Sequence, residues 1–270
     1  MQRSSALGVV VLWIVLAGAL ALAALAVAGQ VGAYVAVIGF LPLLAVIAIG
    51  VTLPASGVFG TAVMGARTGR REVALTFDDG PDPRWTPALL DLLDARQQRA
   101  TFFVIGSRAE PQCALLRDMV RRGHEIANHT WAHSFLTAFR HPIVLARELE
   151  RTNALIVSAT GVRPRWFRPP VGLTSPRVAL GARLARQELV FWTASARDGV
   201  SRTTVDSALS RLEPALAPGA ILVLHDARIR EPRDDDREPI ARAVLARLLD
   251  RMDEVGLRSV TLSELCAATP

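Results

Sequence analysis

The chain has 270 residues and a formal net charge of +6, from 31 basic side chains that are all arginine and 25 acidic ones. The arginines are scattered among acids, with Asp234, Asp235 and Asp236 in a row, so the basic stripe with interleaved aromatics that nucleic-acid binding requires is missing and no nucleic-acid partner is expected. Cys113 and Cys266 make no CxxC pair and no disulfide framework, which leaves one bridge or two free thiols.

Residues 6–53 carry no charged side chain. A membrane-spanning helix needs about 20 apolar residues at about 1.5 Å each, so this stretch has length for two. Apolar character dips at Gly29, Gln30 and Gly32. The reading is one helix over about 6–28 and a second over about 31–53, with Pro42 inside the second, where membrane helices tolerate it. The run is too long and continuous for a signal peptide. Arg3 precedes the first helix, and Arg67, Arg70 and Arg71 follow the second. Positive residues near membrane ends stay cytoplasmic, so both outer ends are expected inside, as a multi-pass hairpin in a bacterial cytoplasmic membrane. If only one helix spans, the rest of the chain lies outside.

Residues 54–71, with Pro54, Gly57, Gly60, Gly65 and Gly69, read as a linker, and 72–270 as the catalytic domain. Strands are expected over 73–77, 100–105, 189–193, 221–224 and 259–262. Helices are expected over 86–95, 113–120, 143–158 and 240–252. Alternating strands and helices imply parallel pairing and an α/β architecture. Periodicity alone does not separate a barrel from an open doubly wound sheet.

Five clusters carry chemistry. Thr76-Phe77-Asp78-Asp79-Gly80-Pro81 places two carboxylates at a strand's C-terminal end, where α/β active sites gather. In Asn128-His129-Thr130-Trp131-Ala132-His133 the histidines stand i, i+4, which on a helical turn would aim both at one metal ion. His124-Glu125 before His129 imitates a zinc-protease helix. The spacing of five turns the imidazoles about 140° apart at about 100° per residue, and that reading fails. Phe167-Arg168-Pro169-Pro170-Val171-Gly172 is a rigid turn, and Trp192 to Gly199 contains Arg197 and Asp198. Leu222-Val223-Leu224-His225-Asp226 ends a buried strand on a histidine.

In this order the clusters, with Ala100-Thr101-Phe102-Phe103 and Gly123-His124-Glu125-Ile126, resemble the polysaccharide deacetylases, the NodB-like domain of carbohydrate esterase family four, over residues 73–262. The resemblance implies a distorted (β/α) barrel behind the transmembrane hairpin. It also implies one divalent metal held by Asp79, His129 and His133, zinc by default, with cobalt, nickel or manganese also suited to such ligands. It further implies Asp78 as general base, oriented by Arg168, and His225 as general acid, its pKa raised by Asp198. The backbone N–H of Val171 becomes the oxyanion donor, and Pro170, Trp192 and Leu224 join the substrate site.

Two positions depart from the family pattern. Val171 stands where tyrosine is usual, and Gly199 where tryptophan usually closes the acyl pocket, which implies either a wider pocket or another aromatic, such as Trp192, in its place. The expected reaction is hydrolysis of an N-acetyl group, or formyl or another small acyl, from an amino sugar. Outside the membrane the partner would be peptidoglycan or another N-acetylated glycan; inside, a lipid-linked amino sugar. The competing reading is an inactive glycan-binding or scaffolding membrane protein on the same fold. The presence of Asp78, Asp79, His129, His133 and His225 argues against it.

Overall fold

In the computed structural model, which describes residues 2–3, 7–53, 56–59, 62–199, 202–228 and 240–267, the apolar front end is helical. The acidic run Asp234 to Asp236, and Pro54 and Gly60 of the linker, lie outside the described residues. A short strand β1 (Gln2–Arg3) precedes helix α1 (Leu7–Val27), in which only Gly8 and Ala19 are buried. After a turn at Gly29, whose φ is +72°, come α2 (Ala33–Gly39) and α3 (Leu41–Thr52). Pro42 occupies the first turn of α3, where its missing N–H costs nothing, rather than a helix interior. Leu7–Val27 and Ala33–Val51 are each long and apolar enough to cross a bilayer. The start of α1 returns to the end of the hairpin, where a Cβ on Gly8 would touch the Ser56 carbonyl.

The region read as a linker contains β2 (Val63–Gly65), which pairs antiparallel with β1, and its Val58, Ala62, Val63 and Ala66 are buried. The remaining elements alternate as the composition requires. They begin with β3 (Glu72–Asp78), α4 (Thr86–Ala95), β4 (Ala100–Val104), α5 (Gly106–Ala109), α6 (Cys113–Arg121) and β5 (Glu125–Asn128). Next come α7 (Pro142–Thr160), β6 (Trp166–Phe167), α8 (Pro176–Leu184), β7 (Glu188–Leu189), β8 (Ala194–Ser195) and α9 (Val205–Leu212). The chain ends in β9 (Ile221–His225), α10 (Ala241–Glu254), β10 (Arg258–Ser259) and α11 (Leu262–Ala267). The strands form one curled parallel sheet in the order β7-β6-β5-β4-β3-β9-β8, with β10 also parallel to β3.

Strand β3 lies at the centre, buried along its whole length, and its residues alternate between two cores. Val73, Leu75 and Phe77 pack outward on Leu90 of α4 and Leu245 and Leu248 of α10. Ala74 packs inward with Phe103, Ala127, Trp166 and Ile221. Thr76 and Asp78 share that inward side.

Two expected strands differ. The run 189–193 splits into the end of β7 and the approach to β8, and β2 fills the seam between them. Val63 bridges Val190 in parallel, the Phe191 N–H donates to the Val63 carbonyl (2.9 Å) and the Thr193 hydroxyl to the Met64 carbonyl (3.1 Å). At the seam's other edge a Cβ on Gly219 would sit 1.8 Å from the Ala66 carbonyl oxygen, so the backbones approach as only glycine allows. The run 259–262 ends after Ser259, because Thr261 and Glu264 exchange the backbone hydrogen bonds of a capping box and start α11 at Leu262. Cys113 and Cys266 are not joined in a disulfide.

Candidate active site and metal centre

The inward side of β3 delivers the first carboxylates. Asp78 is its last residue, in register with His225 of β9. The chain then turns through Asp79 at φ +76°, a left-handed conformation that costs a non-glycine residue about 1–2 kcal/mol. Thr130, His133, Val171 and Arg197 also have positive φ, so every motif loop but the last is strained, as functional loops held by their surroundings are.

The turn carries the Asp79 carboxylate over the strand ends. Its Oδ1 lies 3.4 Å from His129 Nε2 and 3.2 Å from His133 Nε2. Donors sharing one zinc-like ion tetrahedrally at about 2.0–2.2 Å sit roughly 3.4 Å apart. All three side chains are buried, and neither Asp79 oxygen has a hydrogen-bond partner among the described residues. A buried carboxylate with two orphaned oxygens is costly unless a cation meets it, so these residues fit a metal ion.

The imidazoles converge for a different reason than a helical turn. Residues 129–133 form no helix. The Asn128 side chain accepts from the Thr130 N–H (2.8 Å), and the Thr130 hydroxyl accepts from the His133 N–H (3.0 Å). Glu148, held by Arg140, accepts from the N–H groups of Trp131 and Ala132. His129 Nδ1 faces the Arg168 carbonyl at 2.7 Å, which places its proton there and leaves Nε2 free to ligate. Burial, then the charge of His129, pushes the His133 pKa down to about 4, so its ring is neutral near pH 7. Burial pushes the Asp79 carboxyl up, but the adjacent His129, His225 and His133 rings hold it below its ordinary value. A neutral imidazole and an ionised carboxylate are the states a metal needs.

On one side lies Asp78. Arg168, fully buried, donates from NH1 to Asp78 Oδ1 (2.6 Å) and to Thr76 Oγ1 (2.9 Å), and from NH2 to the Phe191 carbonyl (2.9 Å). Burial lowers its pKa and Asp78 opposes the shift. The ion pair fixes which Asp78 oxygen faces the site. On the other side, Asp198 grips His225 twice, through Nδ1 (2.7 Å) and the backbone N–H (3.0 Å). His225 Nε2 is 4.0 Å from Asp79 Oδ2. Burial opposes the charged ring, but Asp198 foremost, then Asp79 and Asp78, raise its pKa to about 10.

Val171, at φ +51° and half exposed, forms the rim with buried Pro170. Trp192 packs beneath this turn against Gly172, with its ring centroid 5.6 Å from the Arg168 guanidinium carbon. Leu224 does not join the site. It is fully buried in the outer core beside Leu222 and Phe77, and the alternation of β9 puts Val223 on the His225 side instead. A Cβ at Gly199 would lie 3.3 Å from the His225 ring, so the position where tryptophan is usual borders that ring.

Sequence reasoning passed over several supports. Thr76 and Glu148 are two. Asp226 is a third: it accepts from the Thr86 hydroxyl (2.7 Å) and crowds Gly80, and burial, with the nearby Asp79 charge, raises its pKa to about 7. Its only sequence signal was its place after His225.

The sequence profile described as polysaccharide deacetylase matches residues 65–189. A chitooligosaccharide deacetylase of Sinorhizobium fredii is 39% identical over 159 residues, 59% of this chain and 74% of that protein. A peptidoglycan-N-acetylglucosamine deacetylase of Bacillus cereus is 33% identical over 201 residues, 72% of this chain and 87% of that protein. This chain belongs to the polysaccharide deacetylase family. Like other polysaccharide deacetylases it is a hydrolase of carbon–nitrogen amide bonds. The crystal structure of a family 4 acetyl xylan esterase from Clostridium thermocellum, in complex with a cobalt ion, superposes with a TM-score of 0.66 at 33% identity, covering 74% of this chain and 93% of that one. The deacetylase fold is thus the curled parallel sheet described above, with the five motif loops at its C-terminal edge.

Proposed function

We propose that this deacetylase removes the N-acetyl group from an N-acetylglucosamine-containing glycan, using one divalent ion held by Asp79, His129 and His133. The observation that carries the reading is the Asp79 carboxylate, buried with both oxygens orphaned between two imidazoles, flanked by an Asp–Arg pair and a His–Asp pair. The ion, zinc by default, with the cobalt of the Clostridium relative and nickel or manganese as substitutes, would act as a Lewis acid and make water a better nucleophile.

The chain's own residues do the rest. Asp78, pinned by Arg168, takes a proton from the attacking water through its free oxygen. The Val171 N–H, exposed on its strained turn, donates to the developing oxyanion, a contribution of typically about 3 kcal/mol. His225, protonated through its pairing with Asp198, gives the leaving amine the proton it needs to depart. Pro170, Val171 and Trp192 line the entrance, and Gly199 beside the His225 ring favours a wider acyl pocket than a tryptophan there would leave. The complete set of acid, base and ligands disfavours an inactive glycan-binding protein.

We read the two apolar helices as a membrane hairpin (1–53), followed by the segment 54–71 and a catalytic domain over 72–270. Arg3, Arg67, Arg70 and Arg71 favour the cytoplasmic side. There, a lipid-linked amino sugar becomes the natural substrate.

The test is acetate release from chitotetraose by the full-length protein in detergent, before and after chelation. Release that stops with chelator and returns with zinc or cobalt is expected. Release unaffected by chelation after the protein's metal content has fallen to zero would remove the metal from the mechanism.

A further inference from the structure

The apolar hairpin does not end at a neutral place on the catalytic domain. The Thr174 N–H donates to the carbonyl of Val51, the last turn of α3, at 3.4 Å. Thr174 is three residues beyond Val171, on the active-site rim. The next residue, Ser175, donates its hydroxyl to the Ala138 carbonyl (2.7 Å), and Arg177 donates to the Phe139 carbonyl (2.8 Å). The loop that carries His133 therefore lies alongside the hairpin's end.

That loop and its neighbours are apolar where they meet solvent. Beyond residue 53, ten large apolar side chains are exposed among the described residues, and six of them lie here: Phe135, Leu136, Phe139, Ile143, Val144 and Val171. Leu136 and Phe139 are each 66% exposed. All six sit at the C-terminal edge of the sheet, since α7 starts there and runs back toward the other end. Burying this surface against water-soluble glycan would leave its apolar part unmatched, whereas a lipid interface matches it. Arg177 beside it supplies the positive charge that suits lipid phosphate. The patch lies beside the end of two helices that are each long and apolar enough to span a bilayer, so one apolar medium would cover both.

We infer that this apolar rim rests on the lipid bilayer surface and holds the active-site mouth against it, so that the amide hydrolysed belongs to an amino sugar anchored at that surface. The substrate part rests on the deacetylase reading above; the docking part does not. A hairpin alone would tether the domain in any orientation. A hairpin ending at Thr174 beside an apolar rim fixes the mouth toward the membrane, and a glycan strand would reach it only through the headgroup layer.

The experiment uses the full-length protein in nanodiscs, with Cys113→Ala to remove the accessible thiol. The remaining Cys266 is buried, and burial raises its pKa to about 11, so it does not label. An environment-sensitive fluorophore is placed on Leu136→Cys, or for comparison on Arg121→Cys at the opposite end of the sheet. Quenching by spin-labelled lipid at 136 and not at 121 is expected. No quenching at 136 overturns the docking, whatever the activity. Turnover is then measured on a long-chain alkyl chitobioside held in the disc and on soluble chitotetraose. The double variant Leu136→Asn/Phe139→Asn should lose about tenfold or more on the anchored substrate and keep its rate on the soluble one. Equal losses on both, or none on either, overturn the substrate assignment. Quenching without turnover of either substrate in the parent protein sinks the deacetylase reading and leaves the docking standing.

Discussion

At the scale of single residues, the chemistry rests on where charge is allowed. His124 shows this away from the active site. It is buried, accepts a hydrogen bond from the Ala100 N–H through Nδ1 (3.2 Å), and has its pKa pushed by burial down to about 4. The folded state thus prefers the neutral ring. The resulting stability is complete above pH 6.5 and is lost as pH falls from 6.5 toward 4, on the order of 3 kcal/mol in all. His124→Gln should flatten the acid limb of a stability–pH profile in that window, measured by urea unfolding. Parallel profiles would contradict the assignment. The same residue explains the false protease signal: its ring belongs to the outer core, stacked edge-on against Phe102. Most of the site was legible at this scale, because Asp78, Asp79, His129, His133, Arg168, Asp198 and His225 converge. Leu224 was misjudged because a motif names neighbours in sequence, whereas a strand sends neighbours to opposite faces. The turn that joins His129 to His133 was also hidden, since it depends on Glu148, which arrives from α7.

At the scale of elements, long periodic segments were readable and short ones were not. α4, α6, α7 and α10 follow their apolar period closely. β5 and β6 went unseen, because four and two residues give alternation too little length to register. α8 and α9 start at the side-chain caps Ser175 and Thr204, which were the available signals. α11 is the clearest case: Thr261-Leu262-Ser263-Glu264 is a capping box, and apolar content alone made it a strand. Thr261→Ala should cost about 1 kcal/mol and lower Tm by about 2–4 °C, with Thr261→Ser restoring most of it. An unchanged Tm in both variants would remove the cap from the account. The linker was misread for a related reason. Its glycines suggested open chain, yet between them Val63 of β2 bridges Val190 and Met64 accepts from Thr193.

At the scale of the whole molecule, the hairpin, the curled sheet and the site are one arrangement. In the proposed membrane hairpin both outer ends share one side, since the start of α1 lies against Ser56 just past α3 and the Thr174 N–H donates to the Val51 carbonyl at the end of α3. A fluorescent-protein fusion at the C-terminus should glow in cells, and an alkaline phosphatase fusion there should stay silent. An active phosphatase would move the domain outside and send the substrate search to cell-wall glycans. The central claim, that Asp79, His129 and His133 hold a metal which Asp78 exploits without binding it, has a more direct test. Metal content by mass spectrometry and acetate release should be measured together on the parent protein, His133→Ala and Asp78→Asn. The account requires about one divalent ion per chain in the parent and in Asp78→Asn, with turnover falling about 10²–10⁴-fold in the latter, and neither metal nor turnover in His133→Ala. A full metal complement in His133→Ala, or normal turnover in Asp78→Asn, would contradict it.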